Sequence, residues 1–158
     1  MKTYFAYGSN LNERRFKARI SSAQFKSRAT LARYRLVFEK PSKDGSGKAT
    51  IVHDDKSVVE GAIFTYADAD HGALKKFEGG YSESPVTVTT DAGEVSVQTF
   101  VADRHDPALK PFDWYVQHIV VGGRKLGLPE KYLEVLAAVP SAKDSDAERV
   151  ATEQAFLK

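Results

Sequence analysis

A chain of 158 residues that is 42% apolar is long enough to bury a real core, and residues 1–158 read as one domain. It has no cysteine, which excludes disulfides, a thiol nucleophile and Cys-ligated zinc. No apolar run could span a bilayer, no secretory pattern opens the sequence, and the net charge is only +2, so we expect a cytoplasmic protein with no membrane or nucleic-acid partner. The basic stretch from Arg14 to Arg35 lacks interleaved stacking platforms and is expected to be a solvated face.

In chain order, Tyr4-Phe5-Ala6-Tyr7 suits a short covered strand. Gly8 allows a sharp turn, and Ser9 and Asn10 are placed to cap a helix over 12–20, Asn10 and Glu13 having capping-box spacing. A junction of this kind gathers unpaired backbone N–H groups, which suits a carboxylate or an oxyanion. Alternation of Leu31, Tyr34, Leu36 and Phe38 predicts one or two strands over 25–39. The segment 41–48, with Asp44-Gly45-Ser46-Gly47, reads as a flexible loop. Residues 49–53 and 57–66 then read as a hairpin around Asp54-Asp55-Lys56. Helix formers over 67–77 lead to Gly79-Gly80, and 85–90 with 94–101 form a second hairpin around Asp91-Ala92-Gly93.

Beyond Pro111 the pattern is helical. Trp114, Val116, Ile119 and Val120 share one apolar face, and Gly122-Gly123 lets that helix pack closely or bend. Pro129 stands at the first turn of another helix running towards Pro140, and 143–157 reads as an amphipathic tail helix. Strands first and helices last predict an α+β fold, a closed or nearly closed sheet with its helices gathered to one side.

Glu78 is the acid that asks for an explanation. A glutamate at the end of a helix faces the negative end of the dipole, and burial beside Phe77 would raise its pKa towards the range of a general base. The plainer alternative is a solvated side chain ahead of a glycine cap. His53, His71, His105 and His118 stand singly with no paired ligand spacing, so no metal site is expected. No phosphate-binding glycine motif occurs, and Ser9 lacks the surroundings of a nucleophile elbow.

Taken together, Tyr4 to Leu11, Ala49-Thr50-Ile51, Val58-Val59-Glu60-Gly61, Glu78-Gly79 and Gly127-Leu128-Pro129 with Tyr132 resemble the γ-glutamylcyclotransferase family, in the same order over nearly the whole chain. The resemblance implies a small mixed β-barrel with flanking helices and a site at one barrel mouth. It also implies cyclisation of a γ-glutamyl amino acid or amine to 5-oxoproline, with no cofactor. Glu78 matches the family's catalytic glutamate, and Tyr7, Gly8, Ser9, Asn10 and Leu11 match its substrate-holding loop. Pro85 stands where the family usually has a tyrosine, and Tyr81 is expected to reach the same space from a different loop, while His105 takes the place of a second pocket tyrosine, so Tyr81 and His105 join the expected substrate-binding residues; these departures bear on the leaving group more than on the reaction. Two other readings stay open, a related enzyme with a different leaving group and a binding module without turnover. The oligomeric state is not legible.

Overall fold

The computed structural model describes residues 1–158. Its strands are β1 (Lys2–Ala6), β2 (Gln24–Pro41), β3 (Gly47–Tyr66), β4 (Tyr81–Thr90) and β5 (Gly93–Ala102), closed into a barrel in the order β1-β3-β2-β4-β5. The barrel is mixed because β1 meets β5 in parallel, Tyr4 opposite Gln98, while every other seam is antiparallel. Closure removes the sheet edges that five strands would otherwise expose. Five helices flank it: α1 (Glu13–Arg19), α2 (His71–Phe77), α3 (Asp113–Lys125), α4 (Glu130–Ala137) and α5 (Ala147–Gln154).

Two sequence expectations are overturned in the sheet. Residues 49–66 are not a hairpin but part of one 20-residue strand. The polar Asp54-Asp55-Lys56 lies in a bulge, the pairing jumping from Tyr34 with His53 to Ala32 with Val58. Asp54 holds the bulge by accepting from the Lys56 amide and the Ser57 hydroxyl, and Arg33 opposite takes a left-handed φ of 68°. A turn-like tripeptide is absorbed in this way when a long neighbour supplies ladder bonds on both sides of it. Segment 41–48, expected to be a flexible loop, is the tight β2–β3 connection. Pro41 pairs with Gly47, and Asp44 accepts from the Ser46 amide and hydroxyl and from Lys48.

The helical half follows the apolar pattern closely. Trp114, Val116, Ile119 and Val120 of α3 are all buried. Gly122 matters most there: a Cβ on it would lie 2.4 Å from the Leu11 carbonyl, so α3 rests directly on the backbone of a 3-10 turn, Ser9–Leu11. The capping box is not formed. Asn12, not Asn10, caps α1 by accepting from the Arg15 amide, which leaves the Asn10 side chain free to turn inward. Pro129 is the residue before α4 rather than inside its first turn. The tail helix is shorter than expected, beginning at Ala147, and it has no fully buried residue: Val150 packs against the core, and Glu153 docks on Arg15 and His118.

Candidate active site

The end of β1, the start of β4, the end of β5 and one face of α3 meet around a pocket of about 310 Å³. Ser9 and Asn10 line it from the 3-10 turn, Glu78 from the turn after α2, and Tyr4, Tyr81 and Tyr115 from the strands and α3. Leu74 of α2 is fully buried and anchors that helix in the core. Gly80, at φ 85°, then turns the chain in the left-handed region just after Glu78, a conformation glycine adopts at little cost.

Glu78 faces Asn10. The Asn10 Nδ2 donates to Glu78 Oε1 at 3.0 Å and to the Tyr4 hydroxyl at 2.9 Å. Its own Oδ1 is buried with no partner. Burial raises the Glu78 carboxyl to about 7, against the opposing pull of Arg19, the Asn10 hydrogen bond, Arg15 and Lys40. Phe77 is not the residue that buries it. That ring is 49% exposed and lies beneath the Arg19 guanidinium. The desolvating walls are the pocket tyrosines and Phe100; Tyr7 and Tyr81 were expected at the site, whereas Phe100 and Tyr115 carried no signal in the sequence beyond their aromaticity.

The tyrosines form a neutral lining. Tyr81 donates to the Ala49 carbonyl at 2.7 Å, Tyr115 accepts from the Ala49 amide at 3.0 Å, and Tyr7 donates to the Phe100 carbonyl. Burial first, with the Glu78 charge among the further causes, holds the hydroxyls of Tyr4, Tyr7 and Tyr81 well above their ordinary value. They serve as hydrogen-bonding groups and do not titrate near neutrality.

Of the loop residues expected at the site, Tyr7, Gly8, Ser9 and Asn10 line the pocket and Leu11 does not. Leu11 is fully buried in the core, and its amide closes the 3-10 turn on the Gly8 carbonyl at 3.0 Å. The amides of Gly8, Ser9 and Asn10 make no bond of that turn. Gly8 has φ −106°, so the bend does not depend on a left-handed glycine. His105 is not brought to the pocket. It is exposed, with Nδ1 3.7 Å from Glu39 Oε1. Pro85 lies along β4 opposite Gln98, whereas Tyr81, four residues earlier, reaches the pocket with its hydroxyl.

The position of the loop is held from behind by a network that the sequence did not suggest. Arg15 donates to Ser9 Oγ at 2.9 Å and pairs with Glu153 of α5 at 2.8 Å. Glu153 also meets His118 Nε2 at 2.8 Å, and His118 Nδ1 meets Asn12 Nδ2 at 2.9 Å. Because Nδ1 accepts there, Nε2 carries the proton and donates to Glu153. Burial alone would raise Glu153, but its hydrogen bonds to His118 and Arg15 and the Arg15 charge hold it at about 2. No group of three or more His, Asp or Glu side chains is placed to hold a metal ion.

Residues 4–116 match the protein family described as gamma-glutamyl cyclotransferase, AIG2-like. Over 146 residues the chain is 32% identical to the gamma-glutamylcyclotransferase of Bos taurus and 30% identical to that of Homo sapiens, with 86% of this chain and 77% of each relative covered. Among solved structures, a gamma-glutamyl cyclotransferase superposes with a TM-score of 0.88 at 26% identity, covering 98% of both chains. An uncharacterized protein from Homo sapiens superposes with a TM-score of 0.86 at 28% identity, covering 97% of this chain and 98% of the other.

Proposed function

The chain belongs to the gamma-glutamyl cyclotransferase, AIG2-like family, and from that premise we propose that it cyclises γ-glutamyl amides to 5-oxoproline with Glu78 as the single acid–base group. The observation that carries this reading is one carboxyl, raised to about 7, sharing a pocket with the loop that follows Tyr7. An ammonium is not a nucleophile, so the substrate's α-amine must first lose a proton. Ionised Glu78 takes it, and a base whose pKa lies near the working pH is suited to that transfer. The amine nitrogen then bonds to the γ-carbonyl carbon of the same residue, and the carbonyl becomes an oxyanion. As the oxyanion collapses, the bond to the departing amine breaks and protonated Glu78 gives its proton to that nitrogen; the ring nitrogen, which still carries an extra proton from the attack, passes it through the freed Glu78 carboxylate to the released amine, which leaves as an ammonium. The products are 5-oxoproline and a free amine, with no water consumed.

Nucleophile and electrophile already belong to one molecule, so the protein's contribution is chiefly to hold a folded substrate in an attacking geometry. The loop amides of Gly8, Ser9 and Asn10 are suited to the substrate α-carboxylate or to the developing oxyanion. The unpartnered Asn10 Oδ1 is suited to accept from the α-ammonium while Nδ2 steadies Glu78. Incubation with a panel of γ-glutamyl dipeptides and amines, with mass-spectrometric detection of 5-oxoproline, tests the reaction. Product is expected from the parent, and Glu78→Gln is expected to lower the rate at least about a hundredfold, as loss of a general base does. A Gln variant that keeps its activity would remove Glu78 from the mechanism. A parent that binds these compounds without turnover would leave the binding-module reading.

A further inference from the structure

Outside the inner pocket lies a second hollow of about 790 Å³ that shares Ser9, Glu78, Tyr81 and Tyr115 with it. Five cations surround this hollow, and three of them are already matched. Arg15 pairs with Glu153, Lys48 with Asp44 at 3.0 Å, and Arg149 with Asp144 at 2.6 Å. Arg19 and Lys40 pair with no carboxylate. They line the hollow together with Glu78, Arg19 over the Phe77 ring at 4.8 Å and Lys40 over the Tyr81 ring at 5.1 Å. Both are half-buried, and burial draws each below its ordinary pKa, as expected of cations short of a counter-charge. Glu78 is the acid whose carboxyl both charges act on, and it loses its charge when it accepts a proton.

Resting on the reading that this site cleaves a γ-glutamyl amide, we propose that the outer hollow is a leaving-group subsite for an amino acid with an acidic side chain, its two carboxylates neutralising Arg19 and Lys40. The geometry gives the direction. With the glutamyl part in the inner pocket and the scissile bond beside Glu78, the departing amine extends into the hollow that shares Glu78, Ser9, Tyr81 and Tyr115 with it. A leaving amino acid with a neutral side chain supplies one carboxylate and leaves one cation unmatched. A second carboxylate completes the pairing, and ion pairs made in a partly desolvated hollow outweigh those on an open surface.

The test compares kcat/KM for γ-glutamyl-glutamate and γ-glutamyl-aspartate with the neutral isosteres γ-glutamyl-glutamine and γ-glutamyl-asparagine. It is run at pH 8.5, where Glu78 is ionised. The acidic substrates are expected to be preferred about tenfold, the worth of one charge-assisted hydrogen bond. Lys40→Gln and Arg19→Gln are each expected to bring the ratio towards one, with the change in the KM of the acidic substrate. Parity in the parent, or preference for the neutral members, overturns the proposal. Calorimetric binding of glutaryl-glutamate and glutaryl-glutamine, which lack the α-amine and cannot cyclise, reads the subsite without turnover. Tighter binding of the acidic compound by the parent supports the subsite, and equal or weaker binding overturns it. Acid-selective binding without turnover of any γ-glutamyl substrate would defeat the cyclotransferase reading alone, whereas turnover without selectivity would defeat the subsite alone.

Discussion

Glu78 is held where its charge is costly, and that cost is measurable apart from any reaction. Its carboxyl rises from 4.5 to about 7 because burial disfavours the anion. An acid with a raised folded-state pKa favours folding fully below its unfolded value and loses that contribution as pH climbs through the folded one. Ionised Glu78 therefore destabilises the protein above pH 7, by about 2–3 kcal/mol. Urea unfolding should find Glu78→Gln more stable than the parent at pH 8.5, with the difference fading below about pH 4.5. The same group read kinetically should give a kcat/KM that climbs through about pH 7 and flattens above it. A rate independent of pH down to 5, or a Gln variant less stable than the parent at pH 8.5, would contradict this account. Its position at a helix end was legible because carboxylates are disfavoured there. What buried it was not, since Phe77 next door is largely exposed while the walls come from Tyr4, Phe100 and Tyr115, distant in sequence.

Among the elements, α3 places the site most directly, by lying against the backbone of the 3-10 turn. The contact exists because residue 122 has no side chain, a Cβ there falling 2.4 Å from Leu11 and Asn12 backbone atoms. Neither partner can rotate away, since both sides of the contact are main chain. Gly122→Ala should cost about 2–3 kcal/mol of stability, as overpacking does, measured by chemical unfolding. It should also raise KM by displacing Ser9 and Asn10. A variant unchanged in both would mean that α3 yields without moving the loop. The double glycine signalled close packing in the sequence, but not what it packs on. Strand order shows the same division. The turn-like Asp54-Asp55-Lys56 predicted a hairpin on local chemistry, and the length of β2 beside it made a bulge in one strand instead.

Across the whole molecule, the ends of the chain are stitched to the site by charge. Arg15 and Glu153 meet at 2.8 Å although 138 positions separate them, and Arg15 continues to Ser9. Glu153, held at about 2, contributes stability that is fully present above its unfolded value near 4.5 and is lost as pH falls towards 2, on the order of 2 kcal/mol once screening is allowed for. Glu153→Gln should therefore be about 2–4 kcal/mol less stable than the parent at pH 7, because Arg15 is left buried without its partner. Thermal unfolding across pH should show the gap closing between 4.5 and 2, and a constant gap would refute the pair's role. By itself the sequence determined the α+β class, the covered first strand, the apolar face of α3 and the prominence of Glu78 and the loop after Tyr7, because periodicity, turn chemistry and charge at helix ends act over a few residues. Only the tertiary structure decided that Leu11 points into the core, that His105 stays in solvent, that Tyr115 joins the pocket from α3 and that the Asn10 side chain meets Glu78. Those outcomes depend on barrel closure and on contacts between segments far apart in the chain, which local patterns do not encode.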